Sequence, residues 1–199
     1  MIYHDTKANQ QNLFTDHKDD ILSIDYHKLS GSVVTGELGP KPLVNYYKNA
    51  KLVWSFKAPV TKGVLALSIS PDGTKAIAVG MDNEHYLALL DLERGTVIAS
   101  AKGGRKVILK VGWIGDDEFV TVGIRHFKHW TIKGNKMSGK DGTDPANLVS
   151  LAIKDGKILT GASQGAIYSW TKNSGKLAKT LRKPTTSKNK DKDKDETNE

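Results

Sequence analysis

The clearest pattern in the chain is a fourfold alternation of large apolar residues with small or polar ones. It occurs at residues 21–26, 64–69, 108–113 and 148–153. A period of two indicates a β-strand with two different faces. After each strand, a second apolar run stops at a glycine and a third reaches a large side chain. The residues concerned are Gly36, Gly80, Gly123 and Gly161, then Tyr47, Leu90, Trp130 and Trp170. The pattern predicts four similar units.

Turns and spacing define these units further. Residues 70–73 and 154–156 contain Asp-Gly pairs that favour tight turns between the first and second strands. A shorter fourth strand is predicted at 52–56, 97–100 and 176–181, whereas it is unclear in the third unit. A period of about 40–45 residues with four strands is typical of propeller blades, whose apolar faces are covered by neighbouring blades. We therefore predict an all-β propeller with blades near residues 12–56, 62–100, 104–145 and 148–181.

The two ends of the chain differ from the repeat. Residues 1–16 resemble the last two strands of a preceding blade, or an N-terminal strand. Residues 182–199 are rich in lysine and aspartate and contain no aromatic residue, so we expect a disordered charged tail.

About four blades of this shape predict an open or partial ring. We expect exposed apolar faces at its ends, formed by Leu22, Ile24 and Tyr26 in the first blade and by Val149, Leu151, Ile153 and Trp170 in the last. Such surfaces favour a homo-oligomer or association with additional propeller blades.

Composition narrows the class of protein. The 199 residues include no cysteine, which excludes disulfides, a thiolate nucleophile and cysteine-ligated metals. No signal-peptide pattern opens the sequence, and no apolar run approaches the ~20 residues of a membrane helix. We expect a location in the cytoplasm or cytoskeleton and no contact with membranes.

The net charge of +8 is unevenly distributed. The segment 183–199 contains five lysines and five acids, so the excess lies before it. Residues 102–140 hold nine lysines and arginines but only three acids. This basic segment favours an acidic partner, although a solvated lysine-rich surface explains it equally well. The absence of stacking aromatics in the basic loops argues against nucleic acid.

Catalytic and cofactor motifs were not found. The chain contains neither a phosphate-binding glycine loop nor a nucleophile elbow. His126 and His129 are three residues apart, which places them on opposite faces of a strand, and no third metal ligand is evident. We therefore predict no catalytic residues, no metal, no cofactor and no enzymatic activity.

Candidate binding residues follow from propeller geometry. The loop before the first strand and the loop between the second and third strands open on the same face, because strands run alternately up and down. These loops carry basic residues in the third blade. Lys110 stands where the other units have small residues, so it should reach the central channel or an open edge. The candidates are Arg105, Lys106, Arg125, His126, Lys62 and Lys110.

The repeat resembles the WD-repeat family in degenerate form. Leu90-Asp91 is similar to the family's Trp-Asp pair, and Asp16-His17 to its Gly-His pair. More narrowly, residues 16–24, 123–131, 138–142 and 160–170 occur in the order found in echinoderm microtubule-associated-protein-like proteins. The resemblance implies that His17, Thr35 and Tyr47 brace the blade by hydrogen bonds.

That resemblance also implies a function. It predicts a non-catalytic protein-binding scaffold of the cytoskeleton, associated with tubulin or microtubules. The alternative is a WD-repeat adaptor in another complex, without tubulin contact.

Overall fold

The computed structural model describes residues 1–142, 146–171 and 177–182, with only the backbone described at 177–179 and 182. The described residues form strands, turns and bends and no α-helix, hence no helix that could span a membrane. An N-terminal hairpin, β1 (Ile2–Asp5) and β2 (Gln10–Leu13), precedes four antiparallel four-stranded sheets. The charged tail predicted at residues 182–199 lies outside the described residues, except for Arg182, which is the last residue of β18.

Each sheet is a blade whose strands lie in chain order. The strands of the first blade are β3 (Ile21–His27), β4 (Ser32–Glu37), β5 (Leu43–Lys48) and β6 (Lys51–Lys57). Those of the second are β7 (Val64–Ile69), β8 (Lys75–Gly80), β9 (Tyr86–Asp91) and β10 (Thr96–Lys102). Those of the third are β11 (Ile108–Gly115), β12 (Glu118–Gly123), β13 (His126–Lys133) and β14 (Lys136–Asp141). Those of the fourth are β15 (Leu148–Lys154), β16 (Lys157–Ala162), β17 (Ile167–Trp170) and β18 (Leu177–Arg182).

The apolar core lies between the blades. Three clusters of buried residues join the first blade to the second, the second to the third and the third to the fourth. Hydrogen bonds cross the same boundaries: Asp25 Oδ2 accepts the Ile69 amide at 2.7 Å, and Trp113 Nε1 donates to the Ser68 carbonyl at 2.9 Å. Each blade therefore depends on its neighbours for burial, as the repeat pattern predicts.

The blades form an open arc in the described part of the chain, and the prediction of an all-β propeller that does not close is confirmed. The innermost strands β3, β7, β11 and β15 contact one another in that order. The exposed face of the first blade is the expected one: Leu22, Ile24 and Tyr26 are 39%, 58% and 56% exposed.

The exposed face of the fourth blade differs from the expectation. Leu151 and Ile153 lie beside Gly112 of the third blade, and Trp170 is buried and stacked on Phe127. The equivalent residues of the second and third blades also pack against the preceding blade, as Leu67 and Trp113 show. Among the described residues, Ile24 and Tyr26 of the first blade have no preceding four-stranded blade to cover them. Val149 and Ile167 are among the half-exposed apolar residues of the fourth blade.

Candidate binding face on the third blade

Histidine, threonine and an aromatic residue form a polar ladder inside the first blade. His17, in the loop before β3, contacts Thr35 Oγ1 through Nε2 at 2.5 Å and Glu37 Oε2 through Nδ1 at 2.9 Å. Hydrogen bonds from His17 and from the Lys18 and Leu43 amides stabilise the Glu37 carboxylate and lower its pKa, against the opposing effect of burial. Tyr47 donates to Asp16 at 3.2 Å. These contacts make His17 a bracing residue.

In the third blade, the histidine of the corresponding hydrogen-bond network comes from a different position. Trp130 Nε1 donates to Thr121 Oγ1 at 3.0 Å, and His126 Nε2 contacts the same hydroxyl at 2.8 Å. The histidine therefore comes from the start of β13, within the same blade. Four residues before β11, where the loop of the first blade has His17, the third blade has Gly104.

A pocket of about 340 Å³ lies beside Gly103 and Gly104 of this loop. Its walls are the loop before β11, the short β12–β13 connection and the end of β14. Four cationic side chains and one carboxylate line it, namely Arg105, Lys106, Arg125, Lys128 and Asp141. We refer to it as the third-blade pocket.

The pocket cations differ in how they are held. Lys128 is partly buried: its ammonium donates to the Gly103 carbonyl at 3.2 Å and lies 3.4 Å from Asp141. Arg105 is exposed and pairs with Glu84 at 3.2 Å. Among the described residues, Lys106 and Arg125 have no ion-pair partner, and both side chains are exposed. The free cationic charge therefore belongs mainly to these two residues.

His126 lines the inner wall of the pocket. It is only 4% exposed, so it is not the exposed contact residue that its position beside a loop suggested. Burial, with nearby Lys128 and Lys106, lowers its pKa to about 4 despite the opposing effect of Asp141. The imidazole is therefore neutral near pH 7 and supports Thr121, while the charge of the pocket comes from lysine and arginine.

The two remaining candidates lie outside the third-blade pocket. Lys62 is exposed in the matching loop of the second blade and donates to Asn83 at 2.9 Å. Lys110 is exposed on the innermost strand β11, as its charge requires. The structure thus brings together four of the six candidates, one of them as part of the pocket wall. It adds Lys128, which sequence reasoning missed although it alternates with His126 along β13.

Backbone geometry marks two of the basic residues. Arg125 and Lys62 have φ angles of +49° and +67°, in the left-handed region that non-glycine residues rarely adopt. Arg125 is the second of the two residues that connect β12 to β13. A side chain at this position is displayed at the tip of a tight connection, at some cost in backbone free energy.

Among the residues that the structure describes, no group of three or more histidines and carboxylates is placed to hold a metal ion.

Comparisons with known proteins agree with the architecture. No family model matches the chain. The chain is 26% identical over 200 residues to a 77 kDa echinoderm microtubule-associated protein of Strongylocentrotus purpuratus, an alignment that covers 91% of this chain and 29% of that protein. It is 25% identical over 167 residues to a ciliary WD repeat-containing protein, ctxp80, of Euplotoides octocarinatus, with coverage of 78% and 23%. The chain thus spans less than a third of the length of these curated relatives.

Two solved structures share the fold. The C-terminal WD40 domain of Sif2 superposes with a TM-score of 0.67 at 18% identity, over 87% of this chain and 49% of that one. The β-propeller domain of Cps50 (Swd1) from Myceliophteria thermophila gives a TM-score of 0.70 at 11% identity, over 87% and 60%. The described residues therefore have the β-propeller fold of these WD40 domains, with four blades in an open arc, and the sequence resembles the echinoderm microtubule-associated proteins.

Proposed function

We propose that this chain is a non-catalytic scaffold that binds tubulin or microtubules, in the cytoplasm and on the cytoskeleton. The observation that carries the proposal is sequence similarity along nine tenths of the chain to a microtubule-associated protein. The fold supports the scaffold part, because a propeller presents loops on a rigid frame.

The loops of the third blade are the proposed contact surface. Arg105, Lys106 and Arg125 lie on the face formed by residues 103–106 and 124–125, which we call the loop face. Exposed cations on one face attract an acidic partner and accelerate its association at low salt. Lys62 and Lys110 are proposed as secondary contacts, since both are exposed but lie outside the third-blade pocket.

Microtubule co-sedimentation at low and physiological salt tests the proposal. Charge reversal of Arg105, Lys106 and Arg125 to glutamate should reduce the bound fraction severalfold at low salt. The matched control reverses Lys133, Lys136 and Lys154, three exposed lysines at turns on the opposite face of the blades. A wild-type chain that does not pellet with microtubules would contradict tubulin binding.

A second function fits one observation. Because the chain spans less than a third of the echinoderm microtubule-associated protein, the part of that protein that associates with microtubules can lie outside the matched region. The chain would then serve as a WD-repeat adaptor in another complex. Failure to co-sediment, combined with capture of a specific partner that is lost in the triple variant, would favour this function.

A further inference from the structure

The third-blade pocket lies beside a loop that differs in sequence from the corresponding loop of the first blade. In the first blade, this loop supplies His17, which contacts Thr35 and Glu37. In the third blade, the corresponding position is Gly104, which lines the pocket, and the histidine that contacts Thr121 is His126 at the start of β13. The pocket is a space next to a buried, neutral imidazole, framed by side-chain cations.

The cationic side chains that line the pocket outnumber the carboxylates. Among the described residues, Asp141 is the only carboxylate that lines the pocket, and it lies 3.4 Å from the Lys128 ammonium. Lys106 and Arg125 approach from two different loops and have no ion-pair partner among the described residues. An anionic group that enters between them would contact both cations.

The backbone indicates which kind of anion fits. Phosphate-binding glycine loops work through free backbone amides that converge on the phosphate. Here the amides of Gly103 and Gly104 already donate to the carbonyls of His85 and Glu84, at 3.1 and 2.9 Å. The Gly142 amide likewise donates to the Phe127 carbonyl. These three glycine amides are therefore not free to bind a phosphate. The exposed lysine and arginine side chains remain as donors, and they pair well with the carboxylates of an acidic peptide.

We propose that the third-blade pocket receives a glutamate or aspartate side chain from an extended acidic segment of a protein partner. Arg125 and Lys106 pair with its carboxylate, and neighbouring acidic residues of the segment lie along the loop face. This inference deepens the proposed function by naming the partner chemistry of the same surface, and it rests on that function only for the identity of the partner.

Glu84 acts as an internal competitor at the rim of the pocket. Its carboxylate holds Arg105 at 3.2 Å and Lys102 at 3.8 Å. An acidic segment has to compete with Glu84 for Arg105. Glu84→Gln should therefore release Arg105 and tighten binding severalfold, in the opposite direction to a loss of cations.

Binding of a fluorescent deca-glutamate peptide, measured by anisotropy at low salt, tests the pocket. Arg125→Gly and Lys106→Glu should each weaken binding about tenfold, and Lys133→Glu, on the same blade at the far end of β13, should leave it within about twofold. Arg125→Gly is informative because glycine adopts the left-handed φ of this position without strain. We therefore expect Arg125→Gly to keep the blade folded, so that weaker binding reports the loss of the arginine side chain. Thermal unfolding of the variant checks that the blade is folded.

Three results would overturn the inference. One is equal weakening by Lys133→Glu, which would show a diffuse charge effect. Another is binding of the peptide that Arg125→Gly and Lys106→Glu do not change. The third is saturable binding of inorganic phosphate that shifts the amide resonances of Gly103 and Gly104 while the peptide does not, which would assign the pocket to phosphate.

The inference and the proposed function fail separately. Peptide binding that depends on Arg125, in a chain that does not pellet with microtubules, retains the pocket and rejects tubulin. Microtubule binding that is indifferent to Arg125→Gly and Lys106→Glu rejects the pocket and retains tubulin.

Discussion

Thr121 connects two other buried side chains inside the third blade. Its hydroxyl joins the indole of Trp130 to the imidazole of His126, and all three side chains are buried. Thr160 makes one such contact in the fourth blade, accepting from Trp170 Nε1 at 2.8 Å. The two threonines therefore allow a comparison within one chain.

Thr121→Val should destabilise the protein about twice as much as Thr160→Val. A buried polar group that loses its partner costs about 1–3 kcal/mol, and Thr121→Val leaves two such groups where Thr160→Val leaves one. The free energy of unfolding in urea measures both variants. Equal losses would mean that His126 finds another partner when the hydroxyl is removed.

His126 makes stability depend on pH. Its pKa is about 4 in the folded chain, below the ordinary value of 6.5, so the unfolded chain binds a proton more readily. The contribution is complete above pH 6.5 and is lost as pH falls toward 4, by roughly 3 kcal/mol over that range. His126→Gln removes this titration.

The measurement compares unfolding free energies of the wild type and His126→Gln at pH 7.5 and 4.5. The wild type should lose more stability on acidification than the variant. Glu37, whose lowered pKa also costs stability in acid, is common to both proteins and cancels in the comparison. Parallel pH dependence in the two proteins would show that His126 does not control it.

At the scale of the strand, glycines decide where adjacent strands can meet. A Cβ on Gly123, at the end of β12, would lie 1.9 Å from the Val107 carbonyl oxygen. A Cβ on Gly115, at the end of β11, would have no atom within 4 Å. Because the clash at Gly123 is with the backbone carbonyl of Val107, no side-chain rotation can relieve it.

Gly123→Ala should therefore destabilise the chain by about 3 kcal/mol, whereas Gly115→Ala should change stability by less than about 1 kcal/mol. Thermal unfolding of the two variants gives the comparison. Similar melting temperatures would mean that the β11–β12 pair shifts to admit a methyl group.

The strands also show what the sequence could predict. The period-two pattern located the innermost strands, because their alternating apolar side chains face another blade. It missed β14, since an outermost strand is mostly polar and exposed, as Lys136 and Lys140 show. It also misassigned Leu151 and Ile153, because alternation reveals two faces without revealing which neighbour each face meets. Of the pocket, the sequence predicted the converging loop cations. It did not predict the burial of His126, whose contact with Thr121 is a tertiary contact that no local pattern reveals.

At the scale of the whole molecule, the arc predicts an asymmetry between equivalent positions. Ile24 and Leu67 occupy the same place in their blades, yet Ile24 is 58% exposed and Leu67 only 8%. Leu67→Ala should cost about 2–5 kcal/mol, and Ile24→Ala less than about 1 kcal/mol. Chemical unfolding at several protein concentrations measures both. A large, concentration-dependent cost for Ile24→Ala would indicate that a second copy covers this face.

The open arc has a direction, because the two end faces are different. The first blade presents Leu22, Ile24 and Tyr26, and in the later blades the equivalents of Ile24 and Tyr26 pack against the preceding blade. The fourth blade presents the face that would receive such a set, where Ile167 is half-exposed. Contact between copies through these faces would be heterologous, joining the head of one molecule to the tail of the next. After each such contact, one end face of each kind is still exposed at the two ends of the assembly. Growth therefore ends only when the rotation between copies closes a ring, and otherwise a filament forms.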